Sequence, residues 1–121
     1  MFENPSPETE LISELATVYS IYDKFPVSNG HALVIPKRKT AQYFEMSEKE
    51  KTACWMMVER VKDILSKKYN PDGFNIGFNM NEAAGQTVLH THIHVIPRYK
   101  GDVENPRGGI RNVISGKGDY N

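Results

Sequence analysis

Residues 85–98 read Gly-Gln-Thr-Val-Leu-His-Thr-His-Ile-His-Val-Ile-Pro-Arg, and they include three of the four histidines of the chain. These are His90, His92 and His94, each separated from the next by one residue. The β-branched and apolar residues around them predict a strand over residues 88–96. Because side chains alternate along a strand, the three imidazoles would share one face, about 6.7 Å apart. The residues between them would face a packed helix.

The rest of the chain predicts further strands and one long helix around this stretch. Strands are predicted over residues 17–25, 31–35 and 74–80, loops over residues 26–30 and 81–85, and a short helix over residues 8–15. Ser47 and Glu50 form the capping box of a helix that should run to about Tyr69. We therefore expect an α+β fold: an antiparallel sheet of about five strands with one long and one short helix packed on it.

Composition limits the classes of protein that this chain can represent. It has 121 residues, of which 39% are hydrophobic and 25% charged, so we predict a single domain over residues 1–121, with residues 99–121 as a C-terminal tail. Fifteen basic and fifteen acidic residues cancel, which disfavours a nucleic-acid-binding surface. No apolar run approaches the roughly 20 residues of a membrane helix, and no signal or acylation pattern is visible.

Two further expectations concern compartment and assembly. Cys54 is the one cysteine and cannot form an internal disulfide, which fits a reducing compartment, and we expect a cytoplasmic protein. A small sheet protein with free edges gains stability by pairing, so we expect a homodimer that joins through the long helix or a sheet edge.

Three histidines on one strand face allow several interpretations, namely an accidental cluster, a metal site or phosphoryl chemistry. Histidine is the commonest metal ligand, but the strand carries no carboxylate, and zinc needs three or four ligands from fixed directions. A neutral imidazole is also a good nucleophile, and neighbouring imidazoles can donate hydrogen bonds to a leaving oxygen. Gly85, Gln86 and Thr87 lie just upstream and predict an anion-binding turn. This combination favours phosphoryl chemistry.

The stretch over residues 85–98 resembles the signature of the histidine-triad (HIT) family, His-x-His-x-His followed by two apolar residues. Asp23, Pro26, Gly30-His31 and residues 33–37 resemble the upstream half of the same family. The two blocks and the helix between them span about residues 15–98. The resemblance implies transfer or hydrolysis of a nucleotide through a covalent nucleotidyl-histidine intermediate.

Within the family, the Gln-Thr-Val turn and the Pro-Arg pair after the triad look more like the diadenosine polyphosphate hydrolase branch. The resemblance therefore implies hydrolysis of nucleoside phosphate anhydrides, with dinucleoside polyphosphates as the leading substrate class and adenosine as the expected base. A nucleoside phosphoramidase, a phosphorylase that uses phosphate in place of water, and a non-catalytic nucleotide- or metal-binding module remain as alternatives.

The resemblance also implies a role for each site residue. His92 would attack the α-phosphorus, His94 would bond the bridging oxygen, His90 would order the site, and His31 would support the relay. The implied nucleotide-binding residues are Asp23 at the ribose hydroxyls and Asn79, Gln86, Thr87 and Val88 at the phosphate oxygens. No residue is predicted to bind a metal and no cofactor is expected, beyond a divalent cation such as Mg²⁺ that accompanies a purine nucleotide.

The predicted tail is rich in glycine and cations. Its cations are Arg98, Lys100, Arg107, Arg111 and Lys117. They are either solvated on a mobile terminus or placed by a folded tail at the outer phosphates of a polyphosphate.

Overall fold

The structure, a computed structural model, describes residues 10–120. Its strands are β1 (Leu11–Glu14), β2 (Val18–Tyr22), β3 (Ala32–Pro36), β4 (Gly73–Gly77) and β5 (Ile93–Arg98), and its long helix is α1 (Glu48–Tyr69). The strands form one antiparallel sheet in the order β1-β2-β3-β5-β4. The expected α+β fold is confirmed. No helix within residues 10–120 is long and apolar enough to span a bilayer.

Helix α1 begins and ends where the sequence predicts. The Ser47 side chain accepts a hydrogen bond from the Glu50 amide at 3.1 Å, and the Glu50 carboxylate accepts one from the Ser47 amide at 2.8 Å. Asn70, with φ of 50°, ends the helix in the left-handed conformation. One face of α1 is buried on the sheet. The hydrophobic core between the helix and the sheet includes Val18, Ala32, Val34, Cys54, Met57, Val58, Val61, Leu65, Ile93 and Val95.

The predicted short helix is wrong for the described residues, because Leu11–Glu14 forms the edge strand β1; residues 8 and 9 lie outside the described part. The pairing of β1 with β2 is irregular between Leu11 and Ser13. This irregularity lets both Ile12 and Leu15 pack against the core. A bulged strand can therefore bury two apolar residues three positions apart, a spacing that resembles one turn of a helix.

The predicted strand over residues 88–96 is wrong at its beginning, because β5 starts only at Ile93. Thr91 instead contacts the loop after β3, where its amide donates to the Thr40 carbonyl at 2.8 Å and the two hydroxyls lie 2.7 Å apart. Of the three histidines, only His94 lies on a strand. The other predicted strands correspond to β2, β3 and β4 with shifted ends, and the predicted loop over residues 81–85 contains the 3₁₀ turn Glu82–Ala84.

Candidate active site

The histidines gather on the face of the sheet opposite to α1. In β5, Ile93 and Val95 are buried in the core beneath the helix, so His94 between them points to the other face. His94 lies in register with Leu33 of β3 and with Gly77 of β4, on the strand next to the edge of the sheet. His94 therefore stands on a rigid, doubly paired strand.

The connection between β2 and β3 brings a fourth histidine to the same place. The Asp23 amide donates to the His31 carbonyl at 2.9 Å, which closes the connection just beyond the paired strands. His31 is only 3% exposed and its Nε2 lies 2.9 Å from His94 Nδ1. The Asp23 carboxylate lies 3.5 Å from the same Nε2. The structure thus brings Asp23, His31 and His94 together, and the predicted contact of Asp23 with the ribose stays a prediction.

Hydrogen bonds fix which nitrogen of each relay imidazole carries the proton. The Val27 amide donates to His31 Nδ1 at 3.2 Å, so this nitrogen is an acceptor and the His31 proton lies on Nε2. Nε2 therefore donates to His94 Nδ1, and the proton of a neutral His94 lies on its own Nε2. His94 is held as a hydrogen-bond donor on the side of the ring away from His31.

His92 is held in the opposite tautomer. Its Nδ1 lies 2.8 Å from the His90 carbonyl oxygen, which can only accept, so the proton lies on Nδ1 and the lone pair on Nε2. The His92 and His94 rings meet edge to face with centroids 5.1 Å apart. A basic nitrogen and a donor nitrogen therefore belong to adjacent rings, which is the pairing that nucleophilic attack on a phosphoryl group needs.

His90 anchors this arrangement from below the surface. It is 3% exposed, and its Nε2 donates to the Pro36 carbonyl at 2.8 Å. The bond ties the segment before β5 to the end of β3 and so fixes the His90 carbonyl that orients His92. The Val27 amide and the Pro36 carbonyl are functional groups that the sequence analysis missed. Backbone groups leave no trace in residue identity, so no sequence signal could have found them.

Burial favours the neutral form of His31, His92 and His94. Desolvation lowers the pKa of His31 and His92, although the nearby Asp23 carboxylate partly opposes the shift. Desolvation, reinforced by the neighbouring His92 and His31, lowers the pKa of His94 to about 4. At pH 7 these rings are uncharged, so the lone pair of His92 remains available for attack.

The predicted phosphate-binding residues occupy the loop beside the triad. Gln86 is buried, and its amide donates to the Ala41 carbonyl at 2.6 Å and to the Val88 carbonyl at 3.1 Å while it accepts from the Asn81 amide. The side chain of Gln86 thus braces the loop from within. Its binding to phosphate stays a prediction, and a direct contact would have to replace one of these bonds.

The remaining predicted ligands lie nearer to solvent. Thr87 and Asn79 are exposed, and Val88 is half-buried. Asn79 lies two residues beyond Gly77, which pairs with His94, so an extension of the same register would place Asn79 beside His92. Their roles in binding nucleotide stay predictions.

Asp23, His31 and His94 are also the one described group that could hold a metal, with ligand atoms within 4.8 Å of one another. Two nitrogens of a tetrahedral zinc site lie roughly 3.3 Å apart, given metal–nitrogen bonds of about 2.0–2.1 Å. The 2.9 Å between the His31 and His94 nitrogens is shorter and suits a shared proton. A metal would have to break this bond and with it the donor state of His94.

Two relatives of known name resemble much of the chain. A bis(5'-adenosyl)-triphosphatase from Dictyostelium discoideum is 34% identical over 98 residues, which cover 81% of this chain and 66% of that protein. An AP-4-A phosphorylase from Mycobacterium tuberculosis is 29% identical over 86 residues, which cover 70% of this chain and 44% of that protein. The chain thus spans just under two thirds of the first relative and under half of the second.

Solved structures and the family profile agree with this similarity. A hypothetical histidine triad nucleotide-binding protein from Sulfolobus tokodaii superposes with a TM-score of 0.75 at 34% identity, covering 78% of this chain and 63% of that one. The HIT domain profile matches residues 4–101, which contain the sheet, helix α1 and every histidine of the relay. Since the match spans most of the chain and includes the residues that build the site, the protein belongs to the HIT domain family.

Proposed function

We propose that the protein hydrolyses nucleoside phosphate anhydrides, specifically dinucleoside polyphosphates such as diadenosine polyphosphates, through a nucleotidyl-histidine intermediate. The observation that carries this proposal is the pair of opposite tautomers at His92 and His94. One ring presents a lone pair and its neighbour presents a proton. The names of both relatives refer to adenosine polyphosphate substrates, which supports the substrate class and adenosine as the base.

The reaction takes two displacements at the α-phosphorus. The Nε2 lone pair of His92 forms a bond to phosphorus, and the bond to the bridging oxygen breaks and leaves its electron pair on the departing polyphosphate. The Nε2 proton of His94 hydrogen-bonds that oxygen as its charge grows. The His90 carbonyl accepts from Nδ1 and stabilises the positive charge on the phosphorylated ring. Water then displaces the imidazole, returns the electron pair to Nε2, and releases a nucleoside monophosphate and a proton.

The alternatives of the family differ in the group that enters or leaves. Inorganic phosphate in place of water would release a nucleoside diphosphate, which is phosphorylase chemistry, while an amine as the departing group is phosphoramidase chemistry. A binding module would hold nucleotide without turnover. We therefore propose an assay of diadenosine polyphosphates and adenosine 5′-phosphoramidate side by side, with and without inorganic phosphate.

We expect the highest kcat/KM with a diadenosine polyphosphate and AMP as a product in both buffers. ADP that replaces AMP when phosphate is present would assign the protein to the phosphorylases. A higher kcat/KM with the phosphoramidate would assign it to that branch. Tight binding without product would leave only the binding module.

The mechanism assigns no step to a metal or cofactor held by the protein. Mg²⁺ enters with the polyphosphate, where it offsets negative charge. We expect a chelator to raise KM for polyphosphate substrates and to leave turnover of the singly charged phosphoramidate unchanged. Loss of both activities would show that the protein itself needs a metal.

We also propose a homodimer. Strand β4 is an edge of the sheet, and Phe78, the residue after it, belongs to an aromatic cluster with Tyr43 and Phe44. Tyr43 stacks on Phe78 with centroids 4.3 Å apart and accepts a hydrogen bond from the Trp55 indole at 2.9 Å. Phe44 is 60% exposed and Met56 is 57% exposed in the same region. Light scattering should give twice the chain mass at micromolar concentration and the monomer mass for Trp55→Glu. A monomeric wild type would exclude the dimer.

For location we propose the cytoplasm. Cys54 is a buried free thiol and the one cysteine of the chain, so the fold uses no internal disulfide, which fits a reducing compartment. Cell fractionation with an antibody against the full chain tests this proposal. Recovery in the membrane or secreted fraction would contradict it.

A further inference from the structure

The loop between β2 and β3 carries a backbone group that the histidine relay uses. The Val27 amide donates to His31 Nδ1 at 3.2 Å, and this bond places the His31 proton on Nε2. The His31 amide in turn donates to the Ser28 carbonyl at 3.2 Å, which closes the loop. The positions of Val27 and Ser28 therefore govern whether His31 can donate to His94.

Packing alone does not hold this part of the loop. Val27 is 72% exposed, and both Val27 and Ser28 border a cavity of about 390 Å³. The other lining residues include Val103, Pro106 and Asn112 of the C-terminal segment, which follows β5. A backbone segment beside an open cavity has few apolar contacts, so hydrogen bonds must fix its position.

Two hydroxyl groups supply such bonds between the loop and the chain that continues from His94. The Ser28 hydroxyl donates to the Pro97 carbonyl at 2.6 Å, and the Tyr99 hydroxyl donates to the Asn29 carbonyl at 2.7 Å. The two bonds run in opposite directions between the same two segments. We call this pair of bonds the loop clamp.

Gly30 shows how closely the loop fits against these segments. It has φ of 89°, and a Cβ built on it would lie 2.8 Å from the Tyr69 ring and 3.3 Å from the Pro97 ring. Glycine permits both the positive φ and the close approach. The loop is therefore seated against Pro97 at Gly30 and open to the cavity at Val27.

The Tyr99 hydroxyl belongs to a part of the chain that is itself fastened. Arg98 donates to both carboxylate oxygens of Asp102 at 2.7 and 2.8 Å and to the Asn75 side chain at 2.6 Å. The Tyr99 amide donates to Asp102 at 3.0 Å. Of the two alternatives for the predicted tail, the described residues favour a folded one, and a contact of its cations with phosphate stays a prediction.

We propose that Ser28 and Tyr99 are positioning residues for the reaction: the loop clamp holds the Val27 amide on His31 Nδ1 and thereby keeps His94 Nε2 as the donor to the departing oxygen. The inference rests on the proposed function, because that function supplies the use of the His94 proton. Both residues act through His31 rather than on the substrate. Their loss should therefore matter most for a poor leaving group, which needs the His94 proton most.

The test removes one hydroxyl of the loop clamp at a time. Ser28→Ala and Tyr99→Phe each delete one bond and leave the other in place. Ser20→Ala is the matched control, because it deletes a serine hydroxyl that donates to the Ser13 carbonyl at 3.4 Å on the helix side of the sheet.

Two readouts separate the position of the loop from its use in the reaction. The first is hydrogen exchange of the Val27 amide, followed by NMR on the intact protein and compared with the amides of β5. The second is the ratio of kcat/KM for the 4-nitrophenyl ester of AMP to that for the phenyl ester, whose leaving group is more basic.

We expect both clamp variants to speed exchange of the Val27 amide at least ten-fold relative to the amides of β5. We expect each to raise the ester ratio by about five-fold, the effect of one hydrogen bond of ordinary strength. Ser20→Ala should leave both quantities within two-fold of the wild type.

Val27 exchange that stays at the wild-type rate in both variants would overturn the loop clamp, as would an equal acceleration throughout β5. Faster exchange with an unchanged ester ratio would overturn its role in the donor state of His94 and leave the histidine chemistry intact. A wild type that cleaves neither ester would overturn the proposed function, and the exchange rates would still decide whether the clamp holds the loop.

Discussion

Replacing His31 tests whether the relay sets the donor state of His94. His31→Leu removes the Nε2–H group whose nitrogen lies 2.9 Å from His94 Nδ1, so this buried acceptor loses the hydrogen bond that it receives from His31. His31→Gln is the matched control, because its amide can still donate to Nδ1. The two variants change the same buried position and differ chiefly in this hydrogen bond.

The size of the effect follows from the bond that is lost. A buried group left unsatisfied costs about 1–3 kcal/mol, which corresponds to roughly a 5- to 150-fold change in rate. The loss falls on the step in which His94 stabilises the departing oxygen. It should therefore be largest for a poor leaving group, which needs that hydrogen bond most.

The assay compares kcat/KM for the phenyl and 4-nitrophenyl esters of AMP, which differ in leaving-group basicity and little in shape. We expect His31→Leu to slow the phenyl ester by a larger factor than the nitrophenyl ester, and His31→Gln to recover most of the difference. Thermal unfolding of both variants separates this effect from loss of fold. An equal loss on both esters, or no recovery with glutamine, would falsify the assignment of His31 to the tautomer of His94.

Three further outcomes are expected. His92→Asn should reduce turnover by several orders of magnitude while nucleotide still binds, and quenched wild-type enzyme should carry labelled nucleotide on the His92 peptide; label elsewhere, or near-normal kcat, would contradict the covalent mechanism. Thr87→Ala should lower kcat/KM by roughly ten- to a hundred-fold, because one hydroxyl donor to phosphate is lost. Thr52→Ala, on the exposed side of α1, is the control, and unchanged kinetics of Thr87→Ala would exclude the contact. Burial lowers the pKa of His94 from 6.5 to about 4, so as the pH falls through this range His94 takes up a proton in the unfolded chain before it does so in the folded protein. The free energy of unfolding, measured with urea, should therefore decline from pH 6.5 to pH 4. A pH-independent free energy of unfolding over that range would refute the shift.

The elements with strong local signals were predictable from the sequence. Ser47 and Glu50 specify the start of α1 through a capping box, whose two bonds form within four residues. The alternation of Ile93, His94 and Val95 predicted that His94 lies on the face of the sheet opposite to its two apolar neighbours, and the burial pattern of β5 confirms this. The motif at residues 85–98 also identified the family, since spaced histidines beside a glycine turn carry chemical information in residue identity alone.

Other features depend on partners that are distant in the chain. Leu11–Glu14 is a strand because β2 offers it a pairing edge, which outweighs an apolar spacing suited to a helix. His90 lies outside β5, and its ring donates to the Pro36 carbonyl, 54 residues earlier. No local pattern encodes such a contact.

The sequence by itself determined which side chains are candidates for the proposed chemistry, and only the tertiary structure decided the protonation state of each. His92 and His94 are the same residue type, yet a backbone carbonyl places the proton of one on Nδ1 and the relay through His31 places that of the other on Nε2. The cavity beside them likewise exists only because the C-terminal segment folds back onto β4 and β5. Proton positions and cavities follow from the distances between groups, and those distances are set only when the whole chain has packed.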